Sequence, residues 1–213
     1  RGDKEIVLAA VRQDGRLLQF ASSALQNDKE TVLAAVIKNW SALEYASESL
    51  KDDSEVVIAA LEQNCWALEY ASDRLKGDKE VVLAAVEIKG FAQDEMNELR
   101  WCTLAFASDS LKGNKTFMMT AVKKNGKALV YASDRLKDDR DVVLAAVKKN
   151  GKALEYASNR LKDDKTFIID AVKLRGWTAL EYASDRLKGN KTFMMTAVRQ
   201  YSWALQFAPV HLK

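Results

Sequence analysis

Apolar residues in this chain gather in short runs, and the runs return at a fixed interval. Val81-Val-Leu-Ala-Ala-Val86 is one of them. The segment Asp28-Lys-Glu-Thr-Val-Leu-Ala-Ala-Val36 recurs from Asp3, Asp53, Asp78, Asn114, Asp139, Asp164 and Asn190, at successive offsets of 25, 25, 25, 36, 25, 25 and 26. Such self-similarity marks a repeat architecture. The spacing gives eight repeats of 25 residues, one with an 11-residue insertion at about 87–101 and another with one extra residue. Six apolar residues in a row fit a buried strand or a buried helix, and alanine separates the two. Ala10, Ala35, Ala60, Ala85, Ala121, Ala146, Ala171 and Ala197 hold one position throughout. Alanine favours helices and is poor in strands. Asp, Asn or Gly followed by Lys-Glu or Lys-Thr precedes most of the runs, which is N-cap and first-turn chemistry. The runs are therefore expected to be helices (helix A), apolar nearly all round and covered on both faces.

The second half of each repeat reads like Ala153-Leu-Glu-Tyr-Ala-Ser-Asn-Arg-Leu161. Leu154, Ala157 and Leu161 share one helical face, which predicts a helix B. Asn125-Gly126 and Asn150-Gly151 between the halves predict left-handed C-caps. Seven repeats carry Ser after the alanine that follows the aromatic, and the eighth carries Pro209. Proline is costly inside a helix, so a short helix B followed by one capped turn is expected. Two short helices cannot bury such a run alone, whereas stacked neighbours can. The predicted fold is all-α: an α-solenoid of eight stacked two-helix repeats in one elongated domain, 1–213. Solenoids need polar terminal caps, and neither end shows one, so part of a longer array is expected.

The unit Asp139-Arg-Asp-Val-Val-Leu-Ala-Ala-Val-Lys-Lys-Asn-Gly-Lys-Ala-Leu-Glu-Tyr-Ala-Ser158 closely resembles the repeat known as domain of unknown function 4116. The resemblance covers nearly the whole chain outside the insertion. It departs where Phe117-Met-Met-Thr and Phe193-Met-Met-Thr replace Val-Val-Leu-Ala. It implies tandem arrays acting as interaction scaffolds in larger intracellular proteins, and it brings no catalytic residues to carry over.

Composition narrows the chemistry. A single histidine, His211, excludes a His-based triad and a two-His metal site. The two cysteines, Cys65 and Cys102, form no CxxC, and reduced, half-buried thiols are expected. No apolar run reaches the ~18 residues of a membrane span, so the expected setting is soluble, intracellular and cytoplasmic. No cofactor and no metal is expected, and no enzymatic activity. The net charge of +3 hides an asymmetry: residues 1–106 hold 12 basic and 19 acidic side chains, hence −7, and residues 107–213 hold 21 and 11, hence +10.

Three features are candidate sites. The turn between the halves carries Lys123, Lys124, Lys127, Lys148, Lys149, Lys152, Lys173 and Arg175, a basic rim able to attract nucleic acid or another polyanion. The plainer reading is that these side chains complement helix C-termini and keep the surface solvated. Trp40, Trp66, Trp177 and Trp203 sit in the same turn, as partner-binding anchors or as lids on the core between repeats. Phe91 and Trp101 lie in the insertion, which is a binding loop or an inert elaboration. Glu44, Glu69, Glu155 and Glu181 recur five residues before an Arg position, and a Glu-to-Arg ladder between neighbouring repeats is expected rather than catalysis. The string at 111–122 returns identically at 187–198, which points to duplication of a three-repeat block. The expected function is a non-enzymatic scaffold binding protein partners. Polyanion binding through the rim and a structural spacer in a larger protein are the alternatives.

Overall fold

The computed structural model describes residues 2–87 and 103–213. All regular structure among them is helical. They belong to two compact units, Arg1–Leu111 and Lys112–Lys213. Repeats one to four fall in the first and repeats five to eight in the second.

Each repeat opens on a long helix, such as Lys29–Lys38, Ser54–Leu61 or Arg140–Lys149. The predicted N-caps form. Asp28 accepts from the Thr31 amide, Asp139 from Asp141 and Val142, and Asn190 from Phe193. In repeats two to seven one face of the long helix is buried, as at Val142, Val143, Ala146 and Val147. In the first unit the long helices of successive repeats pack on one another, and those of repeats five to seven do the same in the second. Burying such side chains contributes about 1.5–3 kcal/mol for each large aliphatic residue.

The second half is two segments rather than one helix B. A six-residue 3₁₀ segment, such as Gly151–Tyr156, ends on an extended alanine, and a four-residue α-turn, such as Asn159–Lys162, follows. Ser158 caps that turn by accepting from the Leu161 amide. The recurring serine is therefore a helix start, which is why proline stands in its place at position 209. In repeat four the middle segment, Thr103–Phe106, is α-helical. The 3₁₀ segments of successive repeats also pack together within each unit, and those of repeats one, two and five lean on the long helix of the next repeat.

The expected left-handed caps at Gly126 and Gly151 do not form. Asn125 and Asn150 are extended, and their side chains instead cap the 3₁₀ segment by accepting from the Lys127 and Lys152 amides. At Gly126 the absence of a side chain serves packing: a Cβ there would collide with the Ala146 carbonyl oxygen of the next repeat. A positive φ, 74°, occurs at Gly176. There the extra residue of repeat seven lengthens the helix to Lys165–Arg175, and glycine supplies the turn that asparagine provides elsewhere.

Candidate functional site

The junction between repeats is built three times over from the same parts. The Ser72, Ser158 and Ser184 amides donate to the carbonyls of Lys51, Lys137 and Lys162 in the preceding repeat. The Ser72, Ser158 and Ser184 hydroxyls donate to the carboxylates of Asp52, Asp138 and Asp163. Arg74, Arg160 and Arg186 grip the same three carboxylates through Nε at 2.8–3.0 Å. Their terminal nitrogens donate to the backbone oxygens of the same aspartates. The serine and arginine together hold all three carboxyl groups below the usual carboxylate range; Ser72 and Ser158 lead at Asp52 and Asp138, and Arg186 at Asp163.

This clasp replaces the expected Glu-to-Arg ladder. Glu44, Glu69, Glu155 and Glu181 stand exposed and take no part in it. The break at serine carries each arginine back toward the end of the previous repeat, so it meets aspartate. The signal was present as an Asp-Asp pair, 52–53, 138–139 and 163–164, followed by Ser-x-Arg. A second fork joins the helix starts. Lys4 Nζ lies 3.0 Å from Asp28 and 2.9 Å from Glu30, Lys29 lies 2.7 Å from Asp53 and 2.8 Å from Glu55, and Lys115 lies 2.8 Å from Asp139 and 3.1 Å from Asp141. These carboxylates raise all three lysines.

The tryptophans of the turn reach forward in the same way. Trp40 lies tilted against Tyr70 at 6.1 Å between centroids, Trp66 against Phe106 at 5.4 Å, and Trp177 against Phe207 at 5.9 Å. Each packs against the aromatic of the following repeat. Trp40 and Trp177 are half-buried by this contact, while Trp66 and Trp203 remain exposed.

Away from repeats one and eight, the exposed large apolar side chains among the described residues are Ile37, Trp66 and Leu174. All three sit where a long helix gives way to the middle segment. The basic residues occupy the same turns in repeats five to seven: Lys123, Lys124, Lys148, Lys149, Lys152, Lys173 and Arg175 are exposed, and Lys127 is half-buried. Leu174, Lys152 and Arg175 line one groove of about 580 Å³ with Glu181 and Tyr182. Phe91 and Trp101 lie outside the described residues. No group of metal-binding side chains and no helix long and apolar enough to cross a membrane occurs among the described residues. Cys65 is half-buried as expected but disulfide-bonded, which corrects the reading of a free thiol there.

The family model described as a domain of unknown function (DUF4116) matches residues 3–51, 53–92, 95–137, 114–162, 139–178 and 164–213. The first of these matches spans two of the 25-residue periods, so matches and periods differ in number. No curated protein and no solved structure matches the chain.

Proposed function

The chain belongs to the DUF4116 family, which assigns no chemistry, and from its surface we propose an interaction scaffold: an α-solenoid without enzymatic activity that binds protein segments along the turn side of its repeats. One observation carries this reading. Away from the end repeats, every exposed large apolar side chain among the described residues lies in those turns. Exposed apolar anchors beside flexible cations suit a segment that carries both apolar and acidic residues. The groove holding Leu174 between Lys152 and Arg175 offers a place for it. Selection from a displayed peptide library tests the reading. Enriched peptides are expected to be acidic and apolar, and to lose binding when Leu174→Glu and Lys152→Glu are combined. Peptides that bind the double variant and an Ile37→Ser/Trp66→Ser variant as well as the parent would sink it.

A second reading, polyanion binding, draws on the exposed lysine pairs 123–124 and 148–149. Titration with single-stranded RNA and with duplex DNA across salt separates it from the first. Binding that persists near physiological ionic strength and falls steeply with added salt supports it. Its absence there removes it.

A further inference from the structure

The junction of repeats six and seven departs from its counterparts. Ten residues after the capping aspartate or asparagine, repeats one, two, three, five, six and eight carry Gln13, Lys38, Gln63, Lys124, Lys149 and Gln200. Repeat seven carries Leu174 there, 42% exposed. The extra residue that follows is Arg175, whose side chain lies across Gly151: a Cβ on that glycine would stand 3.1 Å from the Arg175 Nε. Gly176 then turns the chain, and the 3₁₀ segment Trp177–Tyr182 still packs beside Gly151–Tyr156. One groove thereby gains an apolar side chain and a second cation beside Lys152.

The same groove carries charge of both signs at a defined spacing. Lys152 and Thr178 hold the same place in their two segments, and Glu181 lies three residues beyond Thr178. Three residues make one 3₁₀ turn, a rise of about 6 Å. Lys152, Arg175 and Glu181 are all exposed, and none of them belongs to an ion pair among the described residues. Unlike charges that line one groove without meeting are each open to a partner from outside. In an extended chain, side chains on one face recur every two residues, about 6.7 Å, which matches the spacing of the charges. Along the groove the order is Leu174, then the two cations, then Glu181.

We propose that this groove selects an extended protein segment with an apolar, an acidic and a basic side chain at alternate positions. The inference rests on the reading of the groove as a docking site and names what it docks. The apolar side chain covers Leu174, the acidic one reaches Lys152 and Arg175, and the basic one reaches Glu181. The intervening side chains face solvent and are free to vary. Acidity alone is therefore not the signal: a second acid in the place of the base meets Glu181 and is rejected by like charge.

Fluorescence anisotropy of the 213-residue chain with labelled, end-capped peptides tests the proposal. The first probe carries leucine, glutamate and lysine at alternate positions with threonine between them. The second has glutamate in place of the lysine, and the third has the lysine moved next to the glutamate. Each is made in both chain directions. In one direction the first probe is expected to bind about fivefold more tightly than the other two, the upper end for an exposed ion pair. Glu181→Gln removes the difference between the first and second probes, and Glu181→Lys reverses it. Position 181 is exposed, and circular dichroism checks that both variants keep their helix content. Equal binding of the three probes, or a preference that Glu181→Lys leaves unchanged, overturns the proposal. Docking in the groove still stands in that case if the combined Leu174→Glu and Lys152→Glu variant loses the probes. Binding indifferent to that combined variant, or no binding of any probe up to millimolar concentration, overturns both.

Discussion

At the residue scale the junctions depend on a few polar groups placed in register. The junction at Gly113 shows what one missing group does. Glycine stands there where Asp52, Asp138 and Asp163 stand in the complete clasps. Arg135 still reaches the Gly113 carbonyl at 2.6 Å, but the Ser133 hydroxyl is buried without a partner. Gly113→Asp supplies the absent carboxylate and is expected to raise stability by about 1 kcal/mol, the net worth of one hydrogen bond. Urea unfolding measures it, and an unchanged midpoint would count against the clasp as a stabilising element. The complete clasps also set a pH response. Asp52, Asp138 and Asp163 have lowered folded pKa values. Their contribution is therefore full above the ordinary carboxylate pKa of about 4 and is lost as pH falls through the lowered values. Lys4, Lys29 and Lys115 are raised. Their contribution is full below the ordinary lysine pKa of about 10.4 and is lost as pH rises through the raised values. An Arg160→Met variant should start less stable at neutral pH and lose less on acidification. Urea midpoints at neutral pH and below pH about 3 would show this, and parallel curves for the two proteins would refute it.

At the element scale the decisive feature is the break at serine. It turns the expected second helix into a 3₁₀ segment and a separate capped turn. The 3₁₀ form rises about 2.0 Å per residue, more than an α-helix, so six residues carry the chain back across the repeat. Close approach of this segment to the next long helix makes Gly126 sensitive. Gly126→Ala should cost about 1–3 kcal/mol through overpacking against backbone that cannot yield. Gly151→Ala should cost less, because its nearest neighbour is the flexible Arg175 side chain. Equal losses in thermal unfolding would show that the packing argument is wrong. Much of this level was legible in the sequence. The alanines fixed the helical state of the apolar runs, the aspartates and asparagines marked the caps, and Pro209 betrayed the serine break. What was not legible depends on a neighbour. Arg160 has several carboxylates within a few residues in sequence, and only the path after the break selects Asp138. Asn125-Gly126 reads as a left-handed cap until the next helix is present to show why the glycine is small.

At the scale of the whole molecule the candidate surface was only half readable. Sequence alone located the turns that carry tryptophan and lysine. It did not say which tryptophans were occupied, because that answer lies one repeat further on. Trp40, Trp66 and Trp177 each have a following aromatic to lean on, and Ile37 and Leu174, which drew no notice as sequence, emerge as exposed neighbours.

The serine-to-carbonyl bond and the carboxylate clasp have a mechanical meaning. Held at both ends, the repeats within one unit carry tension through their junctions one after another. The weakest junction yields first. Each yielding repeat frees about 25 residues, roughly 85 Å of contour at about 3.4 Å per residue. A protein built this way lengthens under load in small steps of nearly equal size, and re-closing a junction restores one step at a time.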